Sequence, residues 1–108
     1  EADNLKFDLV ILDPPAFARK NKHVKTALRA YAKLVEAGSR VSAKNGILYA
    51  ASCSVQVKSD NFYKAVFAGI KSSGRGYEEI LRTGHAKDHP VTFSQGEYLK
   101  GMFCRITR

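Results

Sequence analysis

Residues Phe7 to Phe17 read FDLVILDPPAF, and the break in the middle of that string decides the architecture. Phe7 to Leu12 is an almost wholly apolar run with no polar alternation. Such a run predicts a strand buried on both faces, as in a parallel sheet. Pro14 and Pro15 lack the N–H that a ladder or a helix needs, so the strand must stop at Asp13. A loop then runs from Ala16 to about Lys22.

Working outward, Val24, Leu28, Tyr31, Leu34, Val35 and Val41 recur at helical spacing from His23 to about Arg40. Lys25, Arg29, Lys33 and Glu36 fall on the opposite face. Gly38 weakens the end of that helix, and Ala43-Lys44-Asn45-Gly46 reads as a turn. Ile47 to Ala51 is a second buried strand, halted by Ser52-Cys53-Ser54. Ser59 and Asp60 are suited to cap a second helix carrying Phe62, Val66, Phe67 and Ile70, which Ser72-Ser73-Gly74-Arg75-Gly76 ends. Tyr77 to Thr83 and Glu97 to Thr107 read as two further strands, separated by the polar stretch His85 to Gly96.

This order predicts an α/β fold: two parallel strands with crossover helices, closing in a terminal antiparallel strand pair. A right-handed crossover points both parallel strands' carboxyl ends at one sheet edge, the edge where open α/β sheets bind ligands. Asp13-Pro14-Pro15 and Ser52-Cys53-Ser54 are those two ends. They are expected to be neighbours in space.

At 108 residues the chain is one domain or a piece of one. With 44% hydrophobic and 26% charged residues it has globular rather than disordered composition. No apolar run approaches the ~20 residues of a membrane span, and the first residues, EADNLKFD, lack a signal-peptide layout. Cys53 and Cys104 are too few for a disulfide framework or a zinc site, which favours a reducing, cytoplasmic setting. Eighteen Lys and Arg against ten Asp and Glu leave +8, a charge that attracts polyanions, nucleic acid first among them.

Several residues can carry chemistry, and each has a plainer reading. Asp13 presents a carboxylate beside two prolines whose carbonyls are free of local N–H competition, and Phe17 offers a ring for stacking. That set suits orienting a base edge. It equally suits a rigid strand-to-loop turn in which Asp13 caps local N–H groups. Cys53 supplies a thiol near Lys58 and near the start of the second helix, a setting that favours the thiolate nucleophile. Its plainer reading is a small apolar core residue, as for Cys104. Arg19, Lys20, Lys22, His23 and Lys25 form a basic run that would contact phosphates at the binding edge, or simply a solvated helix start. His85, Asp88 and His89 lack metal-ligand spacing with a third partner, so no metal site is expected. The chain has no GxGxxG, GKS/T, GxSxG or HExxH, hence no nucleotide cradle of its own.

FDLVILDPPAF, GILYAASCS, DHP and EYLKGMFCRI, in this order, resemble the C-terminal half of class I S-adenosylmethionine-dependent methyltransferases. The nearest resemblance is to the PUA-containing large-subunit ribosomal RNA cytosine-5 methyltransferases, and it covers about Phe7 to Ile106. It implies a Rossmann-like methyltransferase sheet of which residues 1–108 supply strands four to seven, with strand seven antiparallel. The Gly-rich cofactor loop and the acidic ribose-binding residue belong to strands one and two, so the chain is expected to be part of a longer protein and inactive alone.

The resemblance implies S-adenosylmethionine as cofactor, with Asp13 and Pro14 at its methionine end. It implies Cys53 as nucleophile with Asp13 assisting, and RNA as partner. Pro15, Phe17, Arg19, Lys20 and His89 are expected on the substrate side. Many cytosine-5 RNA methyltransferases carry a second cysteine where this chain has Pro15, as the PUA-containing group does not. Two other readings stand beside this one: a methyltransferase acting on an exocyclic amine, and a non-catalytic basic RNA-binding module of the same fold. Without a partner for the strand-four edge, the isolated chain is also expected to self-associate.

Overall fold

A computed structural model describes residues 5–14, 24–52, 57–83 and 100–108. The elements run β1 (Phe7–Leu12), α1 (Val24–Arg40), β2 (Ser42–Ser52), α2 (Ser59–Ser72), β3 (Tyr77–Thr83) and β4 (Lys100–Ile106). They form one four-stranded sheet in the order β1-β2-β4-β3. β1 and β2 are parallel, with Val10 beside Leu48 and Leu12 beside Ala50. β4 lies antiparallel to both its neighbours, setting Ser52 opposite Lys100 and Thr83 opposite Gly101. The expected mixed α/β sheet is therefore present, with the last strand inserted between the second and third.

Both helices pack on one face of the sheet. Alternation along each strand sends every second side chain there. Leu48, Ala50, Met102, Cys104 and Ile106 meet Tyr31 and Val35 of α1 and Phe62, Val66 and Ile70 of α2 in one buried cluster. Tyr31 and Phe62 meet edge to face at 5.4 Å. Burying an aliphatic or aromatic side chain of this size contributes about 1.5–3 kcal/mol each, so this single layer of contacts carries the fold.

The structure corrects three expectations. β1 is not buried on both faces: Val10 and Leu12 pack on the helices, but Phe7, Leu9 and Ile11 are 50–61% exposed. Among the described residues nothing covers that side, and an apolar sequence does not by itself reveal that a layer is missing. Gly38 does not interrupt α1, which runs on to Arg40. It is buried inside the helix, where an added Cβ would sit 2.9 Å from a Leu12 methyl and 3.2 Å from a Leu48 methyl, so its bareness lets α1 lie close on the sheet.

Ala43 to Gly46 is not a separate turn but an irregular start to β2. The register slips between Phe7 and Leu9, and Asn45 has φ 68°, a conformation asparagine tolerates. Finally, neither Ser59 nor Asp60 caps α2. The N-cap is Lys58, which makes no side-chain cap, and its carbonyl accepts from the Phe62 N–H. The other end of α2 is as expected, with Gly74 at φ +80°. The expected residues 97–99 of the last strand and His23 of the first helix lie outside the described residues.

Candidate active site

Because β1 and β2 are parallel and adjacent, their carboxyl ends share one rim of the sheet. Leu12 pairs with Ala50, so Asp13 and Pro14 leave β1 beside Ala51 and Ser52, the last residues of β2. Asp13 is exposed and Pro14 half-buried. β4 begins and β3 ends at the same rim, adding Lys100, Gly101 and Thr83. The three connections that follow Pro14, Ser52 and Thr83 therefore all start from this edge. That is the edge at which an open α/β sheet offers a binding crevice.

Buried polar side chains fix the rim. The Tyr31 hydroxyl of α1 lies 2.8 Å from the Ser52 hydroxyl, with both residues almost wholly inaccessible. The bond ties the helix to the last residue before Cys53. Lys100, 1% exposed, faces Ser52 across the β2–β4 ladder. On the other face of the sheet the Tyr49 ring packs tilted against Phe103, centroids 4.4 Å apart, and its hydroxyl lies 3.5 Å from that of Thr83. Gly101 makes this possible, since a Cβ there would collide with the Tyr49 phenol and lie 2.6 Å from the Thr83 hydroxyl. Back on the helical side, Arg82 lies 4.4 Å over the Tyr63 ring of α2 and binds both oxygens of Glu79. Burial pushes the Tyr63 phenol up in pKa, with Arg82 opposing.

The structure thus brings together Asp13, Pro14 and the residue before Cys53. Pro15, Phe17, Arg19, Lys20, Cys53 and His89 lie outside the described residues. Cys104 is excluded as the reactive thiol: it is fully buried, and burial pushes its pKa up to about 12. Among the described residues no three His, Cys, Asp or Glu side chains gather as a metal site, and no helix is long and apolar enough to cross a membrane.

Reading the sequence alone missed Lys100, Tyr49 and the Tyr31–Ser52 bond. The signal for Lys100 was its parity: it shares a face with Met102, Cys104 and Ile106, an unusual place for a lysine.

Three curated relatives and two solved structures show what the chain is similar to. It is 44% identical over 100 residues to a ribosomal RNA large subunit methyltransferase of Deinococcus radiodurans, covering 93% of this chain and 24% of the relative. It is 36% identical over 106 residues to ribosomal RNA large subunit methyltransferase I of Alteromonas mediterranea, covering 96% and 27%. It is 35% identical over 103 residues to the Escherichia coli protein of the same name, covering 94% and 26%. No protein-family profile matches.

Among solved structures, one described as a methyltransferase complexed with SAH superposes with TM-score 0.77 at 24% identity, over 96% of this chain and 27% of that one. One from Streptococcus mutans, described as SAM-dependent, gives 0.76 at 21%, over 96% and 26%. The chain spans about a quarter of the length of the curated relatives it matches, and its fold is that of the corresponding part of these methyltransferase structures.

Proposed function

We propose that the chain is the C-terminal part of a methyltransferase domain, strands four to seven, in a longer cytoplasmic protein that methylates carbon 5 of a cytosine in large-subunit ribosomal RNA. The observation that carries this reading is the shared rim, where Asp13 and Pro14 end β1 directly beside the Ser52 end of β2. The relatives' names support the RNA substrate, and the solved structures support the methyl donor.

S-adenosylmethionine, when bound, supplies the methyl group. The described residues fit one end of it: Asp13 is an exposed carboxylate at the rim, able to receive the ammonium of an amino-acid moiety. The chain's own chemistry would be nucleophilic. The Cys53 thiolate adds to cytosine carbon 6 and pushes electron density onto carbon 5, the carbon that accepts the methyl group. Loss of the carbon-5 proton then re-forms the ring double bond and expels the sulfur. The Asp13 carboxylate accepts a hydrogen bond from the cytosine exocyclic amine and so orients the base edge. Pro15 and Phe17 shape the base side of the crevice, while Arg19, Lys20 and His89 serve the RNA.

The test is to give the full-length protein large-subunit ribosomal RNA and S-adenosylmethionine, then identify the product nucleoside by mass spectrometry. 5-Methylcytidine is expected, and none with Cys53→Ser. An N-methylated nucleoside would move the reading to an exocyclic amine. Salt-sensitive RNA binding with no affinity for the methyl donor would reduce it to a binding module.

A further inference from the structure

The outer surface of the helical layer carries a row of cations that the chemistry above does not use. α1 and α2 hold six Lys and Arg (Lys25, Arg29, Lys33, Arg40, Lys64 and Lys71) against two acids, Glu36 and Asp60. Glu36 is already engaged by Arg40. Lys25, Arg29 and Lys33 are all exposed and stand four residues apart, so each lies one helical turn, about 6 Å, beyond the last on one face of α1. Between the helices runs a groove of about 350 Å³ with Leu28, Ala32, Ala65 and Ala68 as its apolar lining; Arg29 stands on one bank, Lys64 and Asn61 on the other. Asp60 is the single acid of α2 and sits in its first turn.

We infer that this groove is a track for the RNA phosphate backbone, leading away from the rim. The inference rests on the RNA reading of the site. Continuity supports it: α1 begins directly after the connection that leaves Asp13 and Pro14, so of the three cations in the row Lys25 stands nearest the rim and Lys33 farthest from it. A strand presenting a base at the rim can lay successive phosphates beside Lys25, Arg29 and Lys33, with Lys64 closing from the other side.

The lining argues against an acidic protein as occupant. Three alanines and the half-buried Leu28 present no aromatic side chain of the kind that concentrates protein–protein binding energy. A phosphodiester chain needs only spaced cations and room for its backbone, and it gains from counterion release.

The test compares full-length wild-type protein with the triple variant Arg29→Ala, Lys33→Ala, Lys64→Ala. RNA affinity is measured at several salt concentrations, and methyl transfer is measured at saturating RNA. All three side chains are exposed, and alanine suits a helix. The triple variant is expected to bind RNA at least ~10-fold more weakly, with a salt slope smaller by about two. Its KM for RNA should rise and its kcat should hold.

Lys44→Ala, at the end of β2 away from the rim, should match wild type. An unchanged affinity and slope in the triple variant, beside a wild type that methylates RNA, would overturn the track and leave the catalytic reading intact. An equal loss in Lys44→Ala would overturn it too, since bulk charge would then explain the effect. A wild type that binds RNA without methylating it, and loses that binding in the triple variant, would support the track while the catalytic reading fails.

Discussion

The hydroxyls of Tyr31 and Ser52 lie 2.8 Å apart in the buried core, joining the middle of α1 to the last residue of β2. Cys53 follows directly, so this bond sets where the proposed nucleophile leaves the sheet. Tyr31→Phe keeps the ring and its contact with Phe62 but removes the bond to a buried hydroxyl. The expected loss of stability is about 1 kcal/mol, read by urea denaturation. In the full-length protein kcat should fall while RNA affinity stays level, because only the placement of Ser52 and Cys53 has changed.

Gly69 of α2 packs directly against α1. A Cβ there would lie 2.8 Å from the Val35 Cβ and press directly on the Ala32 carbonyl oxygen of α1. Backbone cannot yield as a side-chain tip can, so Gly69→Ala should destabilise the fold by about 1–3 kcal/mol in thermal or urea unfolding. Gly38→Ala meets only the ends of two leucines and should cost visibly less.

Burial holds the Cys104 thiol neutral up to about pH 12, from an ordinary 9.0. Below pH 9 both folded and unfolded chains keep the proton and nothing changes. Between pH 9 and 12 the unfolded chain releases it while the folded one retains it, so stability falls as pH rises through that window. Cys104→Ala should flatten this part of the pH–stability curve. Iodoacetamide at pH 8 should leave native Cys104 unmodified, as peptide mapping by mass spectrometry would show.

The uncovered face of the sheet has a consequence for the isolated 108 residues. Leu9, Ile11, Ile80 and Leu81 are each about half exposed or more, and β1 has a free edge among the described residues. Such a surface favours self-association. Sedimentation velocity of the isolated chain should show species larger than the monomer, and Leu9→Gln with Leu81→Gln should shift them toward it.

The rim was legible in the sequence because its cues are local and strong. Two prolines after an apolar run end a strand whatever surrounds it, and Ser52-Cys53-Ser54 ends the next. The helices followed from periodicity, down to Tyr31 on the inner face. The bond from Tyr31 to Ser52 joins residues 21 apart and depends on how α1 sits over β2, which no local pattern encodes. Asn45 and Gly46 carry turn chemistry that a bulge uses equally well, so the turn reading and the strand reading shared one signal. The open face stayed hidden because Leu9 and Ile11 look the same in sequence whether another layer covers them or not.

The most direct test of the nucleophile uses RNA in which cytidine is replaced by 5-fluorocytidine. Fluorine at carbon 5 cannot leave as a proton does, so a methylated ring that has accepted a thiolate at carbon 6 stays bonded to the sulfur. Full-length protein incubated with this RNA and S-adenosylmethionine should form a denaturation-resistant adduct. Digestion and mass spectrometry should map it to the peptide containing Cys53, with the added methyl in its mass. An adduct on another residue, or none from a protein that methylates ordinary RNA in the same buffer, would contradict the account.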